Sequence, residues 1–203
     1  MDVATNALLI DGDHPLSLPA FDRIRAEDFG PALARAMQQH ADEIAALRDG
    51  SEPPDFHNTV AAFDRSGALL LRIESVFHNL AASATSPALQ AVRRELAAPL
   101  SAHWSAVHQD AGLFARLAAV HARREALGLS AEQQRLVERL HRDFVRAGAQ
   151  LPAAARAEFA TLAGQLAELN TRFAQNVLHD EASFTLPLPD RSEERRVGKE
   201  CRL

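Results

Sequence analysis

Apolar residues recur along this chain at intervals of three and four, the spacing that lines one face of an α-helix. Phe29, Leu33, Met37, Ile44 and Leu47 form the first stripe; Gly50 and the segment SEPPD (51–55) stop it. A second stretch, from about Thr59 to Ala84, places Val60, Phe63, Leu70, Ile73, Phe77 and Leu80 inward. Ser86-Pro87 is an N-cap followed by proline at the first helical position. It opens a third helix bearing Leu89, Val92, Leu96, Leu100 and Trp104, with Pro99 as a bend. Asp110 caps a fourth, which carries Phe114, Leu117 and Val120 and stops near Gly128. Ser130 to Gln133 has the capping-box form S-x-x-Q ahead of Leu136, Leu140 and Phe144. The last and most regular stripe follows Pro152: Phe159, Leu162, Leu166, Leu169, Phe173 and Val177. After it, SFTLPL (183–188) alternates like the start of a strand.

This pattern predicts an all-α fold, an antiparallel stack of about six amphipathic helices joined by short connections. Phe63, Phe77, Leu96, Leu140, Phe144, Leu166 and Phe173 are expected among the most buried side chains. No repeat of 30 to 45 residues recurs, so a solenoid is not supported.

Composition narrows the class. The chain has 203 residues, 47% hydrophobic and 24% charged, with a net charge of −5, the profile of a soluble globular protein. Without its last thirteen residues, which hold five basic and three acidic groups, the charge is −7. An acidic chain without a basic stripe argues against nucleic acid as a partner. Asp2 and the short apolar run Ala7–Ile10 do not make a signal peptide, and no apolar window is long enough to span a membrane. A cytoplasmic, monomeric protein is expected.

The candidate chemistry is thin. None of the nine histidines lies four residues from another, as a helical zinc pair would require. His103 and His108, five apart, point from diverging faces, and His179-Asp180-Glu181 are neighbours that diverge in the same way. HRDF (141–144) imitates a kinase catalytic loop, but Gly148 stands where its Asn would fall; Arg139, Arg142, Asp143 and Arg146 read as a charged helix surface. The adjacent pairs Asp42/Glu43 and Asp180/Glu181 read as solvated. Ser66 and Ser75 have no histidine at a recognisable spacing. No catalytic, cofactor-binding or metal-ligating residue is assigned from these patterns.

Four longer blocks are more specific: LPAFDRIRAEDFGPALARAMQQHADEIAAL (18–47), PPDFHNTVAAFDRSGALLLRIESVFHNLAAS (53–83), REALGLSAEQQRLVERLHRDFVRAGAQL (124–151) and LNTRFAQNVLHDEASFTLPL (169–188). In that order they resemble the N-terminal region of thimet oligopeptidase-type zinc metallopeptidases, in the peptidyl-dipeptidase and oligopeptidase A branch. The resemblance implies a mostly helical enzyme with an internal channel that admits short peptides, and its N-terminal helices form one channel wall. It also implies one Zn²⁺, held by the two histidines of H-E-x-x-H and a later glutamate. That motif is absent here, so no family site residue is carried over, and the chain alone is expected to bind no zinc and to be inactive. The catalytic domain is then the missing partner. The other reading is a non-catalytic helical interaction module.

Residues 1–190 contain no lysine and no cysteine; Lys199 and Cys201 both fall in RSEERRVGKECRL (191–203). That tail resembles the translation of a sequencing-library adapter. The organisation expected is therefore a helical domain over 1–190 and a non-native, disordered tail over 191–203.

Overall fold

The computed structural model describes residues 6–10 and 18–185. The chain divides into two compact units, Met1–Thr171 and Arg172–Leu203. Helix makes up 75% of the chain, with no strand among the described residues. The helices are α1 (Ala26–Arg48), α2 (Ala62–Arg65, led in by a π-helical turn at Phe56–Ala61), α3 (Ala68–Ser83), α4 (Pro87–His108), α5 (Ala111–Ala122), α6 (Ala131–Arg146) and α7 (Ala153–Ser183). Apart from the short α2, these are the six expected. None of the described helices is long and apolar enough to cross a membrane. The tail expected to be disordered, and all but the first three residues of SFTLPL, lie outside the described residues.

The helix starts follow the capping chemistry written in the sequence. Ser86 Oγ accepts from the Leu89 N–H at 3.2 Å and Asp110 Oδ1 from that of Leu113 at 2.8 Å. The Ser130 box closes both ways, Gln133 N–H to Ser130 Oγ at 3.2 Å and Ser130 N–H to Gln133 Oε1 at 2.9 Å. Each satisfies donors that a helix start leaves unpaired. Helix α4 runs continuously through Pro99.

The second predicted stretch is not one helix. It begins earlier, where Asp55 and Asn58 exchange hydrogen bonds of 2.7 and 2.9 Å, and it breaks at Ser66-Gly67. Gly67 has a φ of +69°, a left-handed conformation that glycine adopts without steric penalty. Helix α5 ends at Ala122, short of Gly128.

Two apolar clusters fill the first unit. One gathers Phe29, Leu33 and Ala36 of α1 with Leu70, Ile73 and Phe77 of α3 and Leu89 and Leu96 of α4. The other gathers Ile44, Phe56, Val60, Val107, Leu113, Leu117, Val120, Val137 and Phe144. Phe77, Leu96 and Phe144 are buried as predicted, while Phe63 and Leu140 are half-buried against the second cluster.

Leu166 and Phe173 contradict the expectation. In the first unit Leu166 is 58% exposed, beside the exposed Phe159, Leu162 and Leu169; in the second, Phe173 is 70% exposed. The stripe on α7 has helical period but no buried residue. Periodicity shows that a face is apolar; it does not supply the surface that covers it.

Candidate functional site

The break at Gly67 sets up a polar constellation in the first unit. On each element that crosses this level, polar side chains stand between the residues of the two clusters. His40 lies between Ala36 and Ile44 of α1, Ser66 between Val60 and Leu70, and His103 between Leu96 and Val107 of α4. His40 is 2% exposed. Its Nδ1 is 2.9 Å from His103 Nε2, and its Nε2 is 3.4 Å from Ser66 Oγ. A Cβ on Gly67 would stand 3.0 Å from the His40 ring, so the glycine lets the chain turn against that ring. Glu43, one turn along α1, accepts the Gly67 N–H at 2.7 Å and so fixes the junction. Trp104 meets the His40 ring edge-on at 5.3 Å between centroids and donates its indole N–H to Glu74 of α3 at 3.4 Å.

Burial dominates the electrostatics. Desolvation holds His40 below the ordinary histidine pKa; His103 and His108 push the same way and Glu43 opposes them. Desolvation also lowers His103. The Glu74 carboxyl is raised, again chiefly by desolvation, with the Trp104 hydrogen bond and His78 opposing. In each case the low-dielectric surroundings disfavour the charged form.

A second pair lies between α5 and α6. The His121 and His141 rings stack at 4.0 Å with 7° between their planes, and Phe114 stacks on His141 at 5.5 Å. Both histidines are lowered, first by partial burial; His141 and Arg124 add to this for His121, and Arg124 does so for His141.

The sequence-level assignments fare unevenly. His103 and His108 do diverge: the first meets His40, while His108 Nδ1 meets the Trp104 carbonyl at 2.8 Å and its ring packs on Phe144. The HRDF stretch is a helix surface, with Asp143 3.6 Å from Arg139 and 4.0 Å from Arg142, over a buried Phe144. His179, Asp180 and Glu181 are exposed. Ser66 has no histidine at a local spacing, yet the fold brings His40, 26 positions away on α1, to 3.4 Å from its hydroxyl. One expectation is corrected. Glu43 is half-buried and bonded to the Gly67 amide rather than solvated.

A hydrolytic zinc centre needs about three converging protein ligands. Among the described residues no three His, Cys, Asp or Glu side chains are placed to hold a metal ion. No hydrolytic step follows from the described residues.

The chain is 38% identical over 185 residues to the dipeptidyl carboxypeptidase of Escherichia coli (strain K12), an alignment covering 91% of this chain and 27% of that protein. It is homologous to these peptidases. The dipeptidyl carboxypeptidase of Salmonella typhimurium is also 38% identical, over 188 residues, covering 93% of this chain and 28% of that protein. Oligopeptidase A of Escherichia coli is 25% identical over 189 residues, covering 93% of this chain and 27% of its own. No family model matches the chain. The chain thus spans little more than a quarter of the length of its peptidase relatives.

Proposed function

We propose that this chain is the N-terminal helical part of a zinc peptidase that hydrolyses short peptides in the cytoplasm, and that it supplies scaffold rather than chemistry. The observation that carries the reading is 38% identity sustained over 91% of the chain. The missing H-E-x-x-H motif supports the second half of it, because attack on a peptide bond at neutral pH needs an activated nucleophile such as a metal-bound water. Zinc, its ligands and the general base then belong to the remainder of the polypeptide. A non-catalytic interaction module is the second reading, favoured by the apolar residues that α7 exposes. Within the first reading, that face is where the remainder of the peptidase packs.

The test is metal content and cleavage of a short blocked peptide, with and without a chelator. It is run on the purified 203-residue chain and on a gene product extended to the length of the relatives. The extended protein is expected to bind about one zinc and to cleave the peptide in a chelator-sensitive way, and the 203-residue chain to do neither. Chelator-sensitive turnover by the short chain overturns the scaffold reading. An extended protein without peptidase activity favours the interaction module.

A further inference from the structure

The hydrogen-bond directions in the seam between the two apolar clusters are fixed by one proton. Ser66 Oγ lies 2.7 Å from the Phe63 carbonyl, which can only accept, so the single hydroxyl proton is committed there. Ser66 Oγ can then serve His40 only as an acceptor, which puts the His40 ring proton on Nε2. His40 Nδ1 is left a lone pair, and at 2.9 Å it takes the proton of His103 Nε2. With both rings neutral this makes each an Nε2–H tautomer, and the chain of donors runs from His103 through His40 and Ser66 to Phe63.

This arrangement treats a first and a second proton differently. The first can enter at His103 Nδ1, outside the bond. It leaves the Nε2–H donating to His40 and turns that bond into a charge-assisted one. The second must go to His40 Nδ1, where the bond itself stands, and two N–H groups cannot face each other at 2.9 Å. We propose that the His40–His103 pair is an acid-sensitive latch between α1 and α4, which holds through one proton and opens on the second. The groups around it are Glu43 on the same helix, His103 and His108 from α4, and the Ser66 hydroxyl from the α2–α3 junction; Glu74 of α3 reaches the latch through Trp104. Opening separates the rings at the level where one apolar cluster gives way to the other, beside the sole tryptophan of the chain, which reports the event.

The experiment is a pH titration of the full 203-residue chain from 8 to 5. It follows Trp104 emission, the ring nitrogen resonances of His40 and His103, and the unfolding constant in urea. His103→Gln puts an amide donor where Nε2 stood and cannot titrate; Glu74→Gln keeps an acceptor for the indole and removes the carboxyl bonded to it. The wild type and Glu74→Gln are expected to show His40 and His103 both protonated at Nε2 at pH 8, and a Trp104 step below pH 6.5. For each proton the folded seam excludes, the unfolding constant is expected to rise up to about tenfold per pH unit. In His103→Gln the Trp104 step should vanish and the unfolding constant should change up to about tenfold less per pH unit, against a shared background from the other histidines. Nδ1 protonation of His40 at pH 8 overturns the proposal, as does an unchanged step in His103→Gln. If that variant does not fold, the wild-type ring resonances decide the matter.

Discussion

Replacing Gly67 by alanine loads the junction between α2 and α3 in two separable ways. At a φ of +69° the backbone is left-handed, which costs an L-residue about 1–2 kcal/mol. The new methyl carbon would also stand 3.0 Å from His40 Cε1 and 3.1 Å from Cδ2 and Cγ. The ring would have to retreat, yet it is 2% exposed and tied at 2.9 Å to His103. Overpacking of a closed site costs about 1–3 kcal/mol. One smaller effect opposes both, because alanine has less freedom than glycine in the unfolded chain, about 0.4–1 kcal/mol. The expected loss is about 2–4 kcal/mol. Gly128→Ala is the matched control: its φ is +63°, and a Cβ there meets nothing within 4 Å. Only the backbone and unfolded-state effects remain, a loss of about 1 kcal/mol or less. Urea titration of both variants at one pH, followed by far-ultraviolet circular dichroism, reads the difference. Equal losses in the two variants, to within about 0.5 kcal/mol, would refute the packing of His40 on Gly67.

Two further outcomes are expected of the same first unit. Phe144 is fully buried with Phe63 at 5.3 Å, His108 at 5.0 Å and Phe114 at 6.2 Å, so Phe144→Ala should cost about 3–5 kcal/mol; a loss below about 1 kcal/mol in urea would mean that this cluster is not closed. The chain should also be acid-labile, because His40, His103, His121 and His141 all have lowered folded pKa values. Between 6.5 and those values the unfolded chain binds more protons, so stability is complete above about pH 6.5 and falls as pH drops below it. Glu74, raised in the folded state, acts in the opposite sense above its ordinary value and offsets part of the loss. Urea midpoints at pH 7.5 and 5.5 check the sign, and a higher midpoint at 5.5 would contradict it.

The helices were legible in the sequence wherever they are decided locally. Ser86, Asp110 and Ser130 each cap within three residues, and the three–four stripes of α1, α4 and α6 each find a partner inside the chain. Gly67 was not legible as a break, because one glycine inside a good apolar stripe is tolerated in many helices; here the ring that passes against it comes from 27 positions earlier. The same distance hid the seam. His40, Ser66 and His103 sit on three elements, and each looks like an isolated polar residue until the helices pack. Leu166 and Phe173 failed for the opposite reason. Their spacing is ideal, and the sequence of this chain holds no information about whether anything lies over them.

That uncovered face can be tested through its own charge tolerance. Leu166 is 58% exposed, in a helix where Glu has nearly the same propensity as Leu. Leu166→Glu should therefore change the stability of the 203-residue chain by no more than about 0.5 kcal/mol, as for other surface substitutions. The proposed reading makes the opposite demand of the extended protein. If the remainder of the peptidase covers α7, the same substitution forfeits about 1.5–3 kcal/mol of leucine burial. It also places a carboxylate in an apolar contact, where leaving it unpaired costs more again. The measurement is a pair of urea titrations, short chain and extended protein, each with and without Leu166→Glu. A loss above about 1 kcal/mol in the short chain would mean that this face is already packed within it. An extended protein that tolerates the substitution would mean that nothing covers α7, and the scaffold reading would lose its account of why a stripe this regular was left without a core.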